Sequence, residues 1–407
     1  MVLRLLGQAY PTNMGPPKAI LVPALGLTLI ISFVVFLHSF ATIDSSSFGI
    51  LSSAAKNDTV ATEVDLKSSA HQKALAERAH NSTLGFGEIL YISMPERSDR
   101  QDAMTLLSTT FGIRIKHFAG VRGSEMSPKA MPDGVAKKTL PSEIGCWRAH
   151  ANAWRYLLES DMDTLLIFED DLDWNVNLKQ TMELLSLQMQ NSKIRQTEPS
   201  DYERANAPYG LDWDVLDIGS CKDSGHPNFT DVFQVWDDPD VAGLEVIKRT
   251  KMIYESLQNF GLTDDDIGKK RLLAPAYLTV CTSAYAITRQ GAERLLMEMS
   301  YIEFRNAVDT DMSRAFRDGR VRGYMLTPPA ISQFRIGGAK DTDNRKPGDP
   351  RLGNSINGKG NLHGFSANLK DSARQWMVEK MQLNNWDDYK QVREERKTIV
   401  ISDDTSA

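Results

Sequence analysis

The residues best equipped for chemistry cluster in the segment Phe168 to Trp174, FEDDLDW, where Glu169, Asp170, Asp171 and Asp173 follow an apolar run. Like charges about 4 Å apart repel by roughly 4 kcal/mol at an effective dielectric near 20, so carboxylates crowded this closely need compensation. A divalent cation supplies it. An all-oxygen donor set suits Mn²⁺ or Mg²⁺, which take few protein ligands and leave positions open for a diphosphate. The competing reading is a solvated turn whose Asp173 caps a following helix, although a cap needs one acid and not four. Asp309 and Asp311 form a second acidic pair in NAVDTDM. They either cap a helix starting near Met312 or face a reacting group. Arg97 and Arg100 carry guanidinium forks that suit phosphate oxygens. Glu143 and His150 share one flank of a helix beside an apolar stripe, where they line a cleft or serve as structural residues. His363 is a more remote candidate ligand.

These residues need a frame that brings them together. Ile89–Ile92, Thr164–Phe168 and Val215–Ile218 read as short strands, the second apolar throughout like a strand covered on both faces. Between the first two, Ile144, Trp147, Ala151, Trp154 and Leu158 recur at helical steps, which predicts a helix over 142–160. Strand, helix, strand alternation predicts an α/β sandwich with a mostly parallel sheet. In such sheets ligands bind beyond the carboxyl ends of the strands, the end where Glu169 to Asp173 sit. Trp147, Trp154 and Trp213 read as core. The chain has no GxGxxG, GxxxxGK[ST], GxSxG or HExxH. Dinucleotide redox, Walker-type phosphoryl transfer, serine hydrolysis and zincin proteolysis therefore lose their usual signals.

Several segments taken in order resemble glycosyltransferase family 25, the group containing bacterial lipooligosaccharide and procollagen galactosyltransferases. LYISMPERSDRQDAM is similar to the family's INLxxRxDR opening at Ile92, Arg97, Asp99 and Arg100, with Ser93 and Met94 departing. HFAGVRG resembles the turn that follows, at Ala119 and Gly123. PSEIGCWRAH is similar to GExGCxxSH at Glu143, Gly145, Cys146 and His150, with Ser142 and Ala149 departing. FEDDLDW resembles the EDD box, DWDVLDIG the WDxxxLG strand, and CTSAYAITRQGAERLL the Thr282, Tyr285, Gly291 and Ala292 helix entry. NAVDTDM resembles the family's VD-acid segment. The resemblance covers about residues 86–335 and implies a GT-A-type α/β/α sandwich, a metal-dependent nucleotide-sugar donor and inversion at the anomeric carbon. On that reading a UDP-sugar, UDP-galactose first, gives its hexose to a hydroxyl of a glycan or glycoprotein acceptor. Asp171, Glu169 and Asp173 hold the metal; Asp170, Arg97, Arg100, Glu143 and His150 contact the donor. Asp309 or Asp311 is the base on the face opposite the leaving group.

The whole chain bounds these readings. Its 407 residues are 41% hydrophobic and 25% charged, which is ordinary globular composition and excludes collagenous, disordered and disulfide-dense classes. A net charge of −6 offers nucleic acid no bulk attraction. Ala19 to Phe40 is apolar with His38 its one ionisable residue, preceded by Arg4 and Lys18 and followed by Asp44 as the first acid. Such a run reads as a single membrane span with the N-terminus cytosolic, in competition with a cleaved signal peptide. The expected layout is a tip over 1–18, a signal anchor over 19–40, a stem over 41–84, a glycosyltransferase domain over 85–340, and a Gly/Asn-rich loop with a helical tail over 341–407. A type II protein of the Golgi or ER membrane follows, its body lumenal. Asn57, Asn81 and Asn228 begin glycan-acceptor tripeptides, in agreement with that side of the membrane. Cys146, Cys221 and Cys281 are too far apart for a zinc site or a CxxC pair, and their odd count leaves at least one unpaired or intermolecular; one disulfide can form, and the sequence does not choose it. A silent relative acting as a binding or adhesion protein is the alternative function. A metallophosphoesterase is disfavoured because no His adjoins the acidic cluster in sequence.

Overall fold

The structure, a computed structural model, describes residues 63–135, 139–336, 364–381 and 394. The expected anchor, the Asn57 tripeptide, His363 and nearly all of the Gly-rich segment lie outside these residues. Among the described residues no helix is long and apolar enough to cross a membrane.

In chain order the elements are α1 (Glu63–Glu77), β1 (Glu88–Ser93), α2 (Ser98–Phe111), β2 (Lys116–Ala119), α3 (Pro141–Leu158), β3 (Thr164–Glu169), β4 (Leu172–Trp174), α4 (Leu178–Gln190), α5 (Asp201–Asn206), β5 (Val215–Asp217), β6 (Lys222–Gly225), β7 (Gln234–Asp237), α6 (Leu244–Ile247), α7 (Lys251–Asn259), β8 (Lys270–Val280), β9 (Ala284–Thr288), α8 (Arg289–Leu296), α9 (Val308–Arg317), β10 (Gly323–Thr327), β11 (Ile331–Ile336), β12 (Gly364–Ser366) and α10 (Ala373–Met381). The main sheet runs β2-β1-β3-β9-β5-β10-β8-β6, with β7 also on β8. Only β8 and β9 oppose the common direction, so the sheet is largely parallel, as the alternating pattern predicts. A small sheet β12-β11-β4 lies off it.

The period of two in β3 sorts its side chains. Leu165 and Ile167 join one core with Trp147, Ala151, Trp154 and Leu157 of α3; Leu166 and Phe168 join the other with Met182 and Leu185 of α4. A strand covered on both faces must be apolar throughout, which is why this one is. Trp147, Trp154 and Trp213 are buried as core residues. Parallel β1, β2 and β3 place their carboxyl ends, Ser93, Ala119 and Glu169, along one edge.

Residues 63–84, expected to close the stem, are folded. Leu75, Ala76, Ala79 and Leu84 are buried, and Tyr209 Oη donates to the Leu84 carbonyl at 2.6 Å. Its sequence disguises it, because His71, Lys73 and Glu77 of α1 are exposed around the buried Leu75 and Ala76. Cys221 is joined to Cys281, which ties β6 to the turn after β8.

Candidate active site

A cleft of ≈ 450 Å³ opens on the carboxyl edge of β1, β2 and β3, lined by the ends of those strands, the first turns of α3, Arg97 and Arg100, and Gln333. One wall depends on two glycines. A Cβ on Gly145 would stand 2.1 Å from the Val121 carbonyl oxygen, and one on Gly123 would stand 1.9 Å from that of Pro141. The turn after β2 thus packs backbone to backbone against α3, and only glycine allows it.

Glu169, Asp170 and Asp171 all line the cleft. Arg100 Nη1 pairs with Asp170 Oδ1, and Arg100 Nη2 stands 3.8 Å from Asp171 Oδ2. Gln333 Nε2 donates to Asp171 Oδ2 at 2.9 Å. Asp171 Oδ1 is buried with no hydrogen-bond partner. Burial and the neighbouring Glu169 and Asp170 push the Asp171 carboxyl up to about 6, against the pull of Arg100. Burial also works to raise Glu169, but the His150 ring, the Thr282 hydroxyl and Arg100 outweigh it and hold the carboxyl below its ordinary value. Two adjacent carboxylates are thereby pushed apart in acidity. An orphaned, buried carboxylate oxygen in an all-oxygen set fits a hard divalent cation; Asp171 and Glu169 would hold it.

Arg97 also lines the cleft, its guanidinium forked onto Asp99 at 2.9 and 2.8 Å. His150 is fully buried at the cleft floor, with Nε2 3.5 Å from Glu169 Oε1 and Nδ1 2.8 Å from Tyr285 Oη. Trp154 Nε1 donates to the same phenol oxygen at 2.8 Å, and Thr282 Oγ1 donates to Glu169 Oε1 at 2.6 Å. The chain therefore does place a His against the acidic cluster, from nineteen positions before Glu169 and through the fold.

Four expected site residues accept hydrogen bonds from backbone amides. Asp173 is fully buried and accepts hydrogen bonds from Ser366, Ser372 and the amides of Trp174 and Arg374, so it ties down the C-terminal segment. It caps a helix, though the distant α10 rather than the next one. Glu143 Oε2 accepts from the Leu140 amide at 2.8 Å and caps α3; it does not line the cleft. Asp311 is fully buried and accepts from the amides of Arg305 and Asn306, from Asn306 Nδ2 and from Arg314 Nε at 3.4 Å. Its charge is spent on the loop before α9. Asp309 sits in the first turn of α9 and accepts from the amides of Thr310 and Cys281. The Cys281 amide that it holds lies one residue before Thr282, which reaches Glu169.

Sequence reasoning missed several groups. Arg374, buried on α10, donates to the Leu172 carbonyl at 2.8 Å and brings a second cation to the acidic segment. No local pattern could have found it from a tail helix two hundred positions away. Asp217 and Asp223 are buried near each other, and burial first, with mutual repulsion for Asp217, pushes both up to about 7. The DIG after a strand was a signal only through its resemblance to a family segment.

The fold and site define a mixed, largely parallel α/β domain with carboxylates and arginines at the carboxyl edge of its leading strands, the edge at which such sheets bind ligands. Residues 86–207 match the model of Glycosyltransferase family 25 (LPS biosynthesis protein), which supports assigning this segment to that family. The chain is 26% identical over 135 residues to a "Glycosyltransferase 25 family member" of Drosophila melanogaster, covering 30% of the chain and 22% of that protein. It is 25% identical over 149 residues to "Procollagen galactosyltransferase 1" of Danio rerio (33% and 22%). A "Probable inactive glycosyltransferase 25 family member 3" of Bos taurus is 25% identical over 125 residues (28% and 21%). The chain spans about a fifth of the length of these curated relatives.

Proposed function

We propose that this protein is a divalent-metal-dependent glycosyltransferase that moves a hexose, galactose first, from a UDP-sugar to a hydroxyl of a glycan or glycoprotein acceptor with inversion. The observation that carries the reading is the buried, unpartnered Asp171 Oδ1 beside Glu169 in a cleft walled by Arg97 and Arg100. Sugar transfer must stabilise a departing diphosphate, and a bound Mn²⁺ or Mg²⁺ supplies that Lewis acidity. This chain's residues hold the cation through Asp171 and Glu169, keep Asp170 and Arg100 paired so that excess charge is cancelled, and offer Arg97 to phosphate oxygens. For the base we retain Asp309, whose Cys281 partner adjoins Thr282 and which is half-buried, and set Asp311 aside because it is fully buried with donors on both oxygens.

The apolar run 19–40 anchors the protein in the Golgi or ER membrane with this body lumenal. The Cys221–Cys281 disulfide and the sequon at Asn81 support an oxidising compartment. A screen of the detergent-solubilised full chain against UDP- and GDP-sugars, with and without Mn²⁺, tests the reading. Release of UDP dependent on the metal is expected; transfer from a GDP-sugar alone would sink the uridine assignment. The second reading, a silent binding protein, draws on the structural use of Asp311 and on the inactive label of a relative. It requires no turnover of any donor by folded, metal-loaded protein.

A further inference from the structure

Cys146 and His150 stand four residues apart on α3, so both project from one face, and that face looks onto Glu169 at the end of β3. Their ligand atoms lie within 4.8 Å of one another. Three features mark this as more than a chance grouping. The His150 side chain is fully buried, and Nε2 has no hydrogen-bond partner although it faces the cluster. Its other nitrogen is fixed by Tyr285 Oη, itself held by Trp154 Nε1, which is the outer support that orients metal-binding imidazoles. All three residues line the cleft, so a fourth position stays open to solvent or ligand.

We propose that Cys146 Sγ, His150 Nε2 and Glu169 Oε1 form a thiophilic cation site, selective for Zn²⁺ over Mn²⁺ and Mg²⁺, whose filling withdraws Glu169 from the cleft chemistry. Thiolate and imidazole donors favour zinc, whereas the Asp171 side of the same cleft offers oxygen alone. Tetrahedral zinc ligands stand roughly 3.3–3.6 Å apart, so side-chain shifts of about 1 Å close the site. Binding releases the Cys146 thiol proton to solvent, while His150 keeps its proton on Nδ1, directed at Tyr285 Oη, and gives Zn²⁺ the Nε2 lone pair. The spacing of the three cysteines argued against zinc only because it assumed that cysteines must supply most ligands. Here one cysteine, one histidine a helical turn away and one distant carboxylate are brought together by the fold.

The site stands without the transferase reading; only its inhibitory consequence rests on that reading. Cobalt tests the site directly. Cys221 and Cys281 are joined to each other, so a thiolate-to-cobalt charge-transfer band in chelator-treated full-length protein reports on Cys146 alone. The band is expected on adding Co²⁺, with displacement by Zn²⁺ but not by Mg²⁺. Cys146→Ser should abolish it, and His150→Asn should weaken Zn²⁺ binding at least about 10-fold, with far-UV circular dichroism and melting temperature confirming the fold of both. No band in the wild type, or a band that survives in Cys146→Ser, overturns the proposal. Separately, Zn²⁺ added to the Mn²⁺-loaded protein should lower donor turnover in the wild type by a larger factor than in Cys146→Ser. Equal factors would remove the inhibitory role, while absence of turnover would count against the transferase and leave the cobalt result to decide the site.

Discussion

Asp171 and Asp311 are both buried acids, yet their partners give them opposite fates. Asp311 has a donor for each oxygen, whereas Asp171 leaves Oδ1 bare and sits beside two other carboxylates. Replacing Asp171 by Asn keeps shape and the Gln333 contact while removing the charge a cation needs. Donor turnover should fall by roughly 10²-fold or more and Mn²⁺ affinity should drop, with the melting temperature unchanged or raised because an unfavourable buried charge is gone. Isothermal titration with Mn²⁺ checks this, and wild-type affinity in Asp171→Asn would refute the assignment. The pair at α9 separates by the same logic. Asp309→Asn should lower kcat by about 10²-fold or more with little change in melting temperature. Asp311→Asn should instead cost stability on the order of 1–3 kcal/mol, through weakened buried hydrogen bonds, while the folded fraction keeps its kcat. If the two variants behave alike in both assays, the division of roles is wrong.

At the scale of elements, the cleft exists because α3 can approach the turn after β2. Gly145→Ala pushes a methyl onto the Val121 carbonyl, where neither backbone can give way cheaply. We expect a loss on the order of 2–4 kcal/mol, or a displaced turn that raises donor KM, by overpacking. Urea unfolding and KM for the donor distinguish them, and a variant equal to the wild type in both would show the contact to be looser than drawn. The elements themselves were legible in advance. Short apolar runs marked β1, β3 and β5, and a 3.6-residue period marked α3, because each signal is local and set by burial. The candidate site was legible only in part. FEDDLDW announced a charge problem, but its solution came from Arg100, Gln333 and Arg374, drawn from distant elements that carry no mark of their destination. Asp173, Glu143 and Asp311 show a related limit: a carboxylate that caps backbone amides has the same local sequence as one that binds a ligand. The pairing of Cys221 with Cys281, left open by spacing, is likewise decided by β6 lying beside β8.

For the molecule as a whole, the cost of burying carboxylates at the carboxyl ends of the strands should appear as a dependence of stability on pH. Asp217 ends β5 and accepts from the Gly219 amide at 3.1 Å; Asp223, in β6, accepts from Ser220 Oγ and leaves Oδ1 without a partner. Burial, plus the field of Asp223 on Asp217, lifts both to about 7. In the unfolded chain each titrates near its ordinary value of about 3.9. Between these values the folded state holds more protons than the unfolded one, so stability must fall as pH rises through that window. The stabilising contribution is fully present below about pH 4 and is spent above about pH 7, at a rate of up to about 1.4 kcal/mol per pH unit per group. This trend opposes that of surface acids such as Asp266, whose carboxyl is held down to about 2 by Thr263 and Lys270 and which therefore reports only at far lower pH. Metal-free protein is accordingly expected to melt several degrees higher near pH 5.5 than near pH 8. Asp223→Asn, neutral at every pH, removes one titrating group and eases the repulsion on Asp217. Its melting temperature should fall less steeply with pH, and the two curves should converge toward acid pH. Parallel curves for Asp223→Asn and the wild type, measured by calorimetry in the same chelator-containing buffers, would mean that neither carboxylate is protonated in the folded protein and that the strand ends carry their charge by some other compensation.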